Sequence, residues 1–130
     1  MTEYLNREGL QVQSGIATYG VVGLLNTGRP GATLLIRADM DALPLTEETG
    51  LPFASTHAGV MHACGHDAHV AIALVTATVL NRVKVDLNGN IKFLFQPSEE
   101  GPGGANPMID EGVLENPEVD YSIGCHVWPE

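Results

Sequence analysis

Hydrophobic positions along the chain form short runs that glycine, proline and asparagine separate. The runs are rich in β-branched and aromatic residues, which favours β-strands. The run at 32–40 contains three consecutive aliphatic residues, Leu34 to Ile36, and such a run is typical of a strand covered on both faces. The pattern predicts strands at residues 11–14, 19–25, 32–40, 90–96 and 119–127.

Three further segments are predicted to be helical. Residues 2–10 resemble the last turns of a longer helix, with Gly9 as the C-terminal stop. Residues 67–80 are almost entirely apolar, and although their β-branched side chains favour a strand, their length favours a helix. A helix that is apolar on every side is expected to be buried. A loop at 102–112 leads into a short helix.

The alternation of strands and helices predicts an α/β layered domain with a largely parallel central sheet. Ligands of such sheets bind beyond the carboxyl ends of the strands. Asp39 and Asp41 end one predicted strand. Glu99 and Glu100 follow another, and His126 lies near the end of the last one. We therefore expect these segments to meet at one rim of the sheet.

Composition excludes several classes of partner. The 130 residues carry 16 Asp+Glu against 6 Lys+Arg, a net charge of -10. This acidity argues against nucleic acid or an anionic membrane as a partner, because both need a basic surface. No apolar run approaches the roughly 20 residues of a membrane span, and no apolar leader begins the chain. The 2 cysteines do not form a disulfide framework, so a cytoplasmic location is expected.

The segment 57–69 holds four of the 5 histidines and one of the cysteines. Within it, Cys64 and His66 offer a thiolate and an imidazole, which are both good ligands for zinc-like metals. Two ligands do not make a site by themselves, and a histidine-bearing loop with an inert cysteine is the alternative. For His62 and His69 we predict structural hydrogen-bonding roles.

The adjacent carboxylates of Glu99 and Glu100 repel each other unless a positive charge compensates them. Neighbouring side chains diverge, so one can bind a metal while the other faces a bound water. Metal-assisted hydrolysis needs this division between a ligand and a general base. A solvated acidic loop is the alternative.

His126 is predicted to be a further metal ligand, and Cys125 a small buried residue. A closed structural zinc centre of Cys64, His66, Cys125 and His126 is the rival arrangement. Consecutive residues of a strand point to opposite faces, which weighs against both Cys125 and His126 reaching one ion. A Cys64–Cys125 disulfide is disfavoured in a reducing compartment.

Three aspartates complete the candidate residues. Asp39 and Asp41 are two apart and face the same side of the predicted strand, so either one is placed to bind metal. For Asp41 we favour a hydrogen bond that orients a metal ligand. Asp67 begins the long helix, where a negative charge is favourable in any case, and this role is indicated at least as strongly as a catalytic one.

Four motifs resemble, in order, those of one enzyme family. They are RADMDALP at 37–44, MHACGHDAH at 61–69, FQPSEEGPGGA at 95–105 and GCHVWP at 124–129. The family is that of the dinuclear-metal amidohydrolases and peptidases, with hippurate hydrolase, N-acyl-amino-acid amidohydrolases, N-acetyl-diaminopimelate deacetylase and the plant auxin-conjugate hydrolases. The resemblance extends from Tyr4 onward.

The resemblance implies a three-layer, zinc-exopeptidase-like catalytic domain that hydrolyses the amide bond of N-acyl amino acids or related small amides. It implies two divalent metal ions, with zinc, manganese, cobalt and nickel as candidates. The general base would be Glu99, and Asp41 would be a supporting carboxylate. The implied metal ligands are Cys64, His66, Glu100 and His126.

Members of this family are longer than the present chain. Residues 1–130 match the first half of their catalytic domain, whereas a dimerisation domain and the C-terminal half of the catalytic domain lie beyond the match. The whole protein is therefore expected to be a homodimer that binds a small N-acyl amino acid. The alternative for the chain by itself is a non-catalytic metal-binding α/β module, and a plain α/β interaction domain is a third possibility.

Overall fold

Five strands form one sheet in the order β1-β2-β4-β3-β5. The computed structural model of the chain describes residues 1–128. The strands are β1 (Gln11–Ile16), β2 (Gly20–Asn26), β3 (Thr33–Asp39), β4 (Asn90–Gln96) and β5 (Tyr121–Gly124). The α-helices are α1 (Thr2–Arg7), α2 (His66–Arg82) and α3 (Ala105–Asp110), and a 3-10 turn (Lys84–Asp86) follows α2.

The sheet is mostly parallel, as the sequence predicts. β3 runs parallel to both β4 and β5, whereas β2 is antiparallel to β1 and to β4. Within the described residues, β2 therefore opposes the direction of the other strands. The register places Ile36 of β3 between Phe93 of β4 and Ile123 of β5.

Alternating side chains of the central strands build a core on each face of the sheet. On one face, Phe93 and Phe95 pack with α1 and α2, which contribute Leu5 and Ala77. On the other face, Leu94 packs with α3 and the turn that follows it. The alternation follows from the pleat of the strand, which sends successive side chains to opposite sides. The result is the three-layer arrangement that the resemblance implies.

The long apolar segment forms α2, as predicted, but its expected burial on every side is wrong. Ala73 and Ala77 are buried against the sheet, whereas Ile72, Val75 and Val79 are more than half exposed. The reason is that one side of α2 packs on the sheet and, within residues 1–128, no further layer covers the other. No helix in this part of the chain is long and apolar enough to cross a membrane.

The last strand is shorter than predicted and forms an open edge. β5 pairs with β3 on one side, and all its residues are exposed. Cys125, which follows the strand, is exposed rather than buried. The prediction of a buried Cys125 is therefore wrong, because in the described part of the chain nothing covers this edge of the sheet.

Candidate metal centre

The carboxyl ends of the parallel strands meet at one rim, and the polar segments gather there. Asp39 ends β3, the loop after β4 carries Glu99 and Glu100, and His126 follows β5 by two residues. The N-terminus of α2 begins with His66 at the same rim. The convergence expected from the sequence is therefore present in the fold.

His66 is fully buried, and each of its ring nitrogens has a distinct environment. Its Nδ1 lies 3.0 Å from the backbone oxygen of Asp41 and 3.2 Å from the Asp41 carboxylate. A carbonyl oxygen only accepts hydrogen bonds, so Nδ1 carries a proton. In the neutral ring the lone pair therefore lies on Nε2, which is the form that binds metals.

The Nε2 atom of His66 is buried and, among the described residues, has no hydrogen-bond partner. It lies 3.7 Å from Asp39 Oδ2 and 3.9 Å from an oxygen of both Glu99 and Glu100. Buried polar atoms without partners are rare in folded proteins. A buried imidazole nitrogen that faces several carboxylates fits a divalent cation between them.

Cys64 and His126 complete the set of predicted ligands. The Sγ atom of Cys64 lies 3.4 Å from Nε2 of His126. Cys64, His66 and Glu100 each offer a ligand atom, and these atoms lie within 4.8 Å of one another. The structure therefore brings all four predicted metal ligands to one place, while their role as ligands stays a prediction.

The acidic side chains around Cys64 raise the pKa of its thiol. A hydrogen bond to the Glu100 carboxylate, followed by partial desolvation and by the charges of Glu100, Glu99 and Asp39, raises the pKa of Cys64 to about 11. A thiol in this environment stays protonated near neutral pH. A bound cation reverses the balance, because it favours the thiolate over the thiol.

Asp41 ties His66 to the loop that carries the two glutamates. One of its oxygens faces His66, and the other accepts a hydrogen bond from the Glu100 N–H at 2.9 Å. Burial would raise the pKa of Asp41, but hydrogen bonds from the backbone N–H groups of Glu100 and Glu99 outweigh it, and the pKa is lowered. The geometry agrees with the orienting role predicted for Asp41.

The loop after β4 is folded tightly, which turns both glutamates towards the rim. Ser98 has a φ of 55°, an uncommon value for a residue other than glycine. Its carbonyl accepts a hydrogen bond from Gly104 N–H at 3.1 Å. A Cβ atom on Gly104 would lie 1.8 Å from the carbonyl oxygen of Pro97, so a larger residue cannot close this loop.

A second cluster shares His66 and His126 with the four predicted ligands, and it was not predicted as a set. Asp39, His66, His69 and His126 also offer ligand atoms within 4.8 Å of one another. The sequence contains a signal for part of it, because His66 and His69 are three residues apart on one helix face. The predicted hydrogen-bonding role of His69 is confirmed, since its Nδ1 pairs with Asp39.

Asp39 is fully buried in this second cluster, and both its oxygens are paired. One accepts from His69 Nδ1, and the other accepts from Arg37 Nη1 at 2.7 Å. Burial would raise the pKa of Asp39, but the hydrogen bond from His69 and the charge of Arg37 outweigh it, and the pKa is lowered. Asp39 is therefore ionised in the folded chain at neutral pH.

Comparison with known proteins gives related chains of greater length. Over 130 residues the chain is 47% identical to thermostable carboxypeptidase 1 of Saccharolobus solfataricus. This alignment covers 98% of the present chain and 33% of the carboxypeptidase. Over 101 residues the chain is 52% identical to an N-acyl-L-amino acid amidohydrolase of Geobacillus stearothermophilus, covering 77% of this chain and 27% of that one. The matched part of the present chain thus spans between about a quarter and a third of the length of these relatives.

A solved structure has the same fold. It is a dinuclear metal-binding peptidase of the M20 family from Bacillus subtilis, with a TM-score of 0.91 and 40% sequence identity. The match covers 98% of this chain and 35% of that one. The sequence model of peptidase family M20/M25/M40 matches residues 35–130. These agreements confirm the resemblance of the four motifs, and the chain belongs to peptidase family M20/M25/M40.

Proposed function

We propose that this chain forms the metal-binding part of a hydrolase that cleaves the amide bond of N-acyl amino acids or related small amides. The observation that carries the proposal is the buried Nε2 of His66, which has no hydrogen-bond partner within residues 1–128 and faces the carboxylates of Glu99 and Glu100. Relatives with amidohydrolase, deacetylase and carboxypeptidase activity in their names support the reaction class.

The proposed metal ligands supply one thiolate, two imidazoles and one carboxylate. This donor set suits zinc, and its nitrogen and oxygen donors also suit manganese, cobalt or nickel. Four ligands complete one tetrahedral ion, so a second ion requires bridging ligands or further ligands from the whole protein. We propose two divalent ions, as in the dinuclear Bacillus subtilis relative. The proposed ligands are Cys64, His66, Glu100 and His126.

Glu99 is the proposed general base. Divalent ions at such a centre supply Lewis acidity, which makes a water more acidic and polarises an amide carbonyl. The Glu99 side chain is 39% exposed and its Oε2 lies 3.9 Å from His66 Nε2, so it borders both the centre and solvent. It accepts the proton of the attacking water on a carboxylate oxygen and delivers it to the amine nitrogen as the amide bond breaks.

The other residues of the rim hold this arrangement in place. Asp41 orients the His66 ring through Nδ1 and at the same time fixes the backbone at Glu100. Partners of this kind keep ligands in the geometry that binding needs, and their loss weakens metal affinity. The centre is therefore preorganised by hydrogen bonds that do not involve the proposed ion.

The test combines elemental analysis with an activity screen on N-acetyl and N-benzoyl amino acids. Glu99→Gln should retain the metal content of the unmodified protein and lose hydrolysis, whereas Glu100→Gln should lose metal. Glu48→Gln is the matched control, because Glu48 is exposed and is not among the residues of metal-binding types that cluster at the rim. Hydrolysis by Glu99→Gln at the original rate would contradict the assignment of the base.

The same measurements distinguish the proposed hydrolase from the two non-catalytic alternatives. A whole protein that binds metal but hydrolyses none of the substrates would be a metal-binding module, and one without metal affinity would be the plain α/β interaction domain. We further propose that the whole protein is a cytoplasmic homodimer without nucleic-acid or membrane partners. The two free cysteines and the net charge of -10 support the compartment and the excluded partners.

A further inference from the structure

The geometry points to His69 as a positioning residue that holds His126 at the candidate metal centre. His69 bridges two parts of the fold, since its Nδ1 pairs with Asp39 and its Nε2 accepts the Val127 N–H at 2.9 Å. Val127 is the neighbour of His126 in the chain. The functional part of this inference rests on the proposed metal centre, but the hydrogen bonds themselves do not.

The two hydrogen bonds determine the state of the His69 ring. A backbone N–H only donates, so Nε2 must accept and carries no proton. The proton of the neutral ring is therefore on Nδ1, where it is donated to the ionised Asp39 carboxylate. Neither nitrogen retains a free lone pair for a metal. His69 thus acts through Val127 and is not itself a ligand, although it belongs to a cluster of metal-binding residue types.

The Asp39 end of this bridge is rigid. Asp39 is fully buried at the end of β3, and Arg37 holds its second oxygen at 2.7 Å. Arg37 in turn donates to Gln96 Oε1 at 3.0 Å, which links the bridge to β4. His69 is therefore anchored to the central strands of the sheet, and this anchoring keeps its Nε2 directed at Val127.

The Val127 end needs such an anchor. β5 ends at Gly124, so the pairing of this strand with β3 stops two residues before His126. Val127 also packs against the turn before α2, because a Cβ atom on Gly65 would lie 2.4 Å from Val127 Cγ2. Gly65 has a φ of 82°, so a side chain there is excluded by backbone conformation as well.

Together these contacts place His126 beside Cys64. The rings of His69 and His126 meet edge to face with centroids 4.5 Å apart. His126 Nε2 then lies 3.4 Å from Cys64 Sγ. A ligand that follows an open edge strand needs contacts of this kind to remain in place, and His69 supplies the hydrogen bond among them.

The first test measures the hydrogen bond in the metal-free chain by amide NMR. His69→Asn retains a donor near the position of Nδ1 but has no atom in place of Nε2, so the Val127 amide should shift and exchange faster with solvent. His69→Gln, which reaches the position of Nε2, should restore part of the protection. His62→Asn is the matched control, because His62 is exposed, and it should leave the Val127 amide unchanged.

The second test is an optical titration with Co²⁺, which reports ligands by its absorption. His69→Asn should weaken cobalt affinity about 10- to 100-fold while the thiolate-to-cobalt band of Cys64 persists. Val127→Pro removes the N–H group that donates to His69 Nε2, so it should weaken cobalt affinity by a similar factor. The double variant should be no weaker than either single variant, because both remove the same interaction.

The outcomes distinguish this inference from the proposed function. A Val127 amide that is the same in His69→Asn and in the unmodified chain overturns the role of His69, whatever metal binds. If His69→Asn does not fold, unchanged cobalt affinity in Val127→Pro overturns it. An unmodified chain that binds no cobalt contradicts the proposed metal centre, and the amide measurement then still decides whether His69 holds this segment.

Discussion

The carboxylate of Asp41 lies 3.2 Å from Nδ1 of His66, and its second oxygen accepts the Glu100 N–H at 2.9 Å. One side chain thus joins the N-terminus of α2 to the loop after β4. This bridge relates the two segments that carry most of the candidate metal centre.

Asp41→Asn should weaken metal binding without removing any predicted ligand. The amide that replaces the carboxylate has one acceptor oxygen, so it cannot accept from both His66 and the Glu100 backbone. We expect metal affinity to fall about 10- to 100-fold, as is typical when an orienting partner is lost. Isothermal titration with zinc measures the change. Asp86→Asn, at an exposed residue of the 3-10 turn, is the control, and equal affinity in both variants would contradict the orienting role of Asp41.

The thiol of Cys64 should titrate at unusually high pH in the metal-free protein. Its hydrogen bond to Glu100 and the surrounding negative charge raise its pKa to about 11 from a reference of 9.0, so the thiolate should appear later in an alkaline titration. The ultraviolet absorbance of the thiolate reports this in a Cys125→Ser background. Glu100→Gln should move the midpoint back towards 9.0, whereas Glu48→Gln should not. A midpoint near 9.0 in the unmodified site would refute the arrangement.

Lys92 should stabilise the fold on the side of the sheet away from α2. It is buried in β4 and donates to the carbonyl of Val113 at 3.0 Å and to that of Glu115. Lys92→Met leaves these carbonyls without their partner, which should cost about 1–3 kcal/mol. Urea unfolding measures the loss, with the exposed Lys84→Met as the control.

The contribution of Lys92 to the free energy of unfolding should also depend on pH. Burial lowers the pKa of Lys92 from its reference of 10.5, so in this range the unfolded chain binds more protons than the folded one. The free energy of unfolding of the unmodified chain should therefore rise, relative to Lys92→Met, as the pH increases from the lowered pKa towards 10.5. A constant difference between the two proteins across that range would contradict the lowered pKa.

The exposed side of α2 should tolerate polar substitution. Val79 is 51% exposed, whereas Ala77 is fully buried against the sheet. Val79→Thr should change the free energy of unfolding by no more than about 0.5 kcal/mol. Ala77→Val adds volume to a packed core and should cost about 1–3 kcal/mol. Thermal or urea unfolding of this chain compares the two, and a larger loss for Val79→Thr would show that this side is covered.

Several secondary-structure elements and candidate site residues of this protein can be predicted from local sequence patterns alone. The alternation of apolar runs and turns predicts β4 to the residue, and it predicts α2 within two residues at each end. Local sequence also identifies candidate metal ligands and a candidate base. Cys64 and His66 are two residues apart, and Glu99 and Glu100 are adjacent, so their side-chain types and relative directions follow from the local sequence. The order of the motifs was sufficient to identify the family.

Tertiary structure alone decided what depends on partners far apart in sequence. The bond between His69 and Val127 joins residues 58 positions apart, and no periodicity encodes it. Burial also depends on such partners, because Cys125 and the outer side of α2 are apolar but exposed, and nothing in residues 1–128 covers them. The hydrophobic pattern indicates whether a side chain favours burial or solvent. Packing determines which neighbours the side chain actually has in the folded chain. The positions of the metal-binding side chains depend on those neighbours.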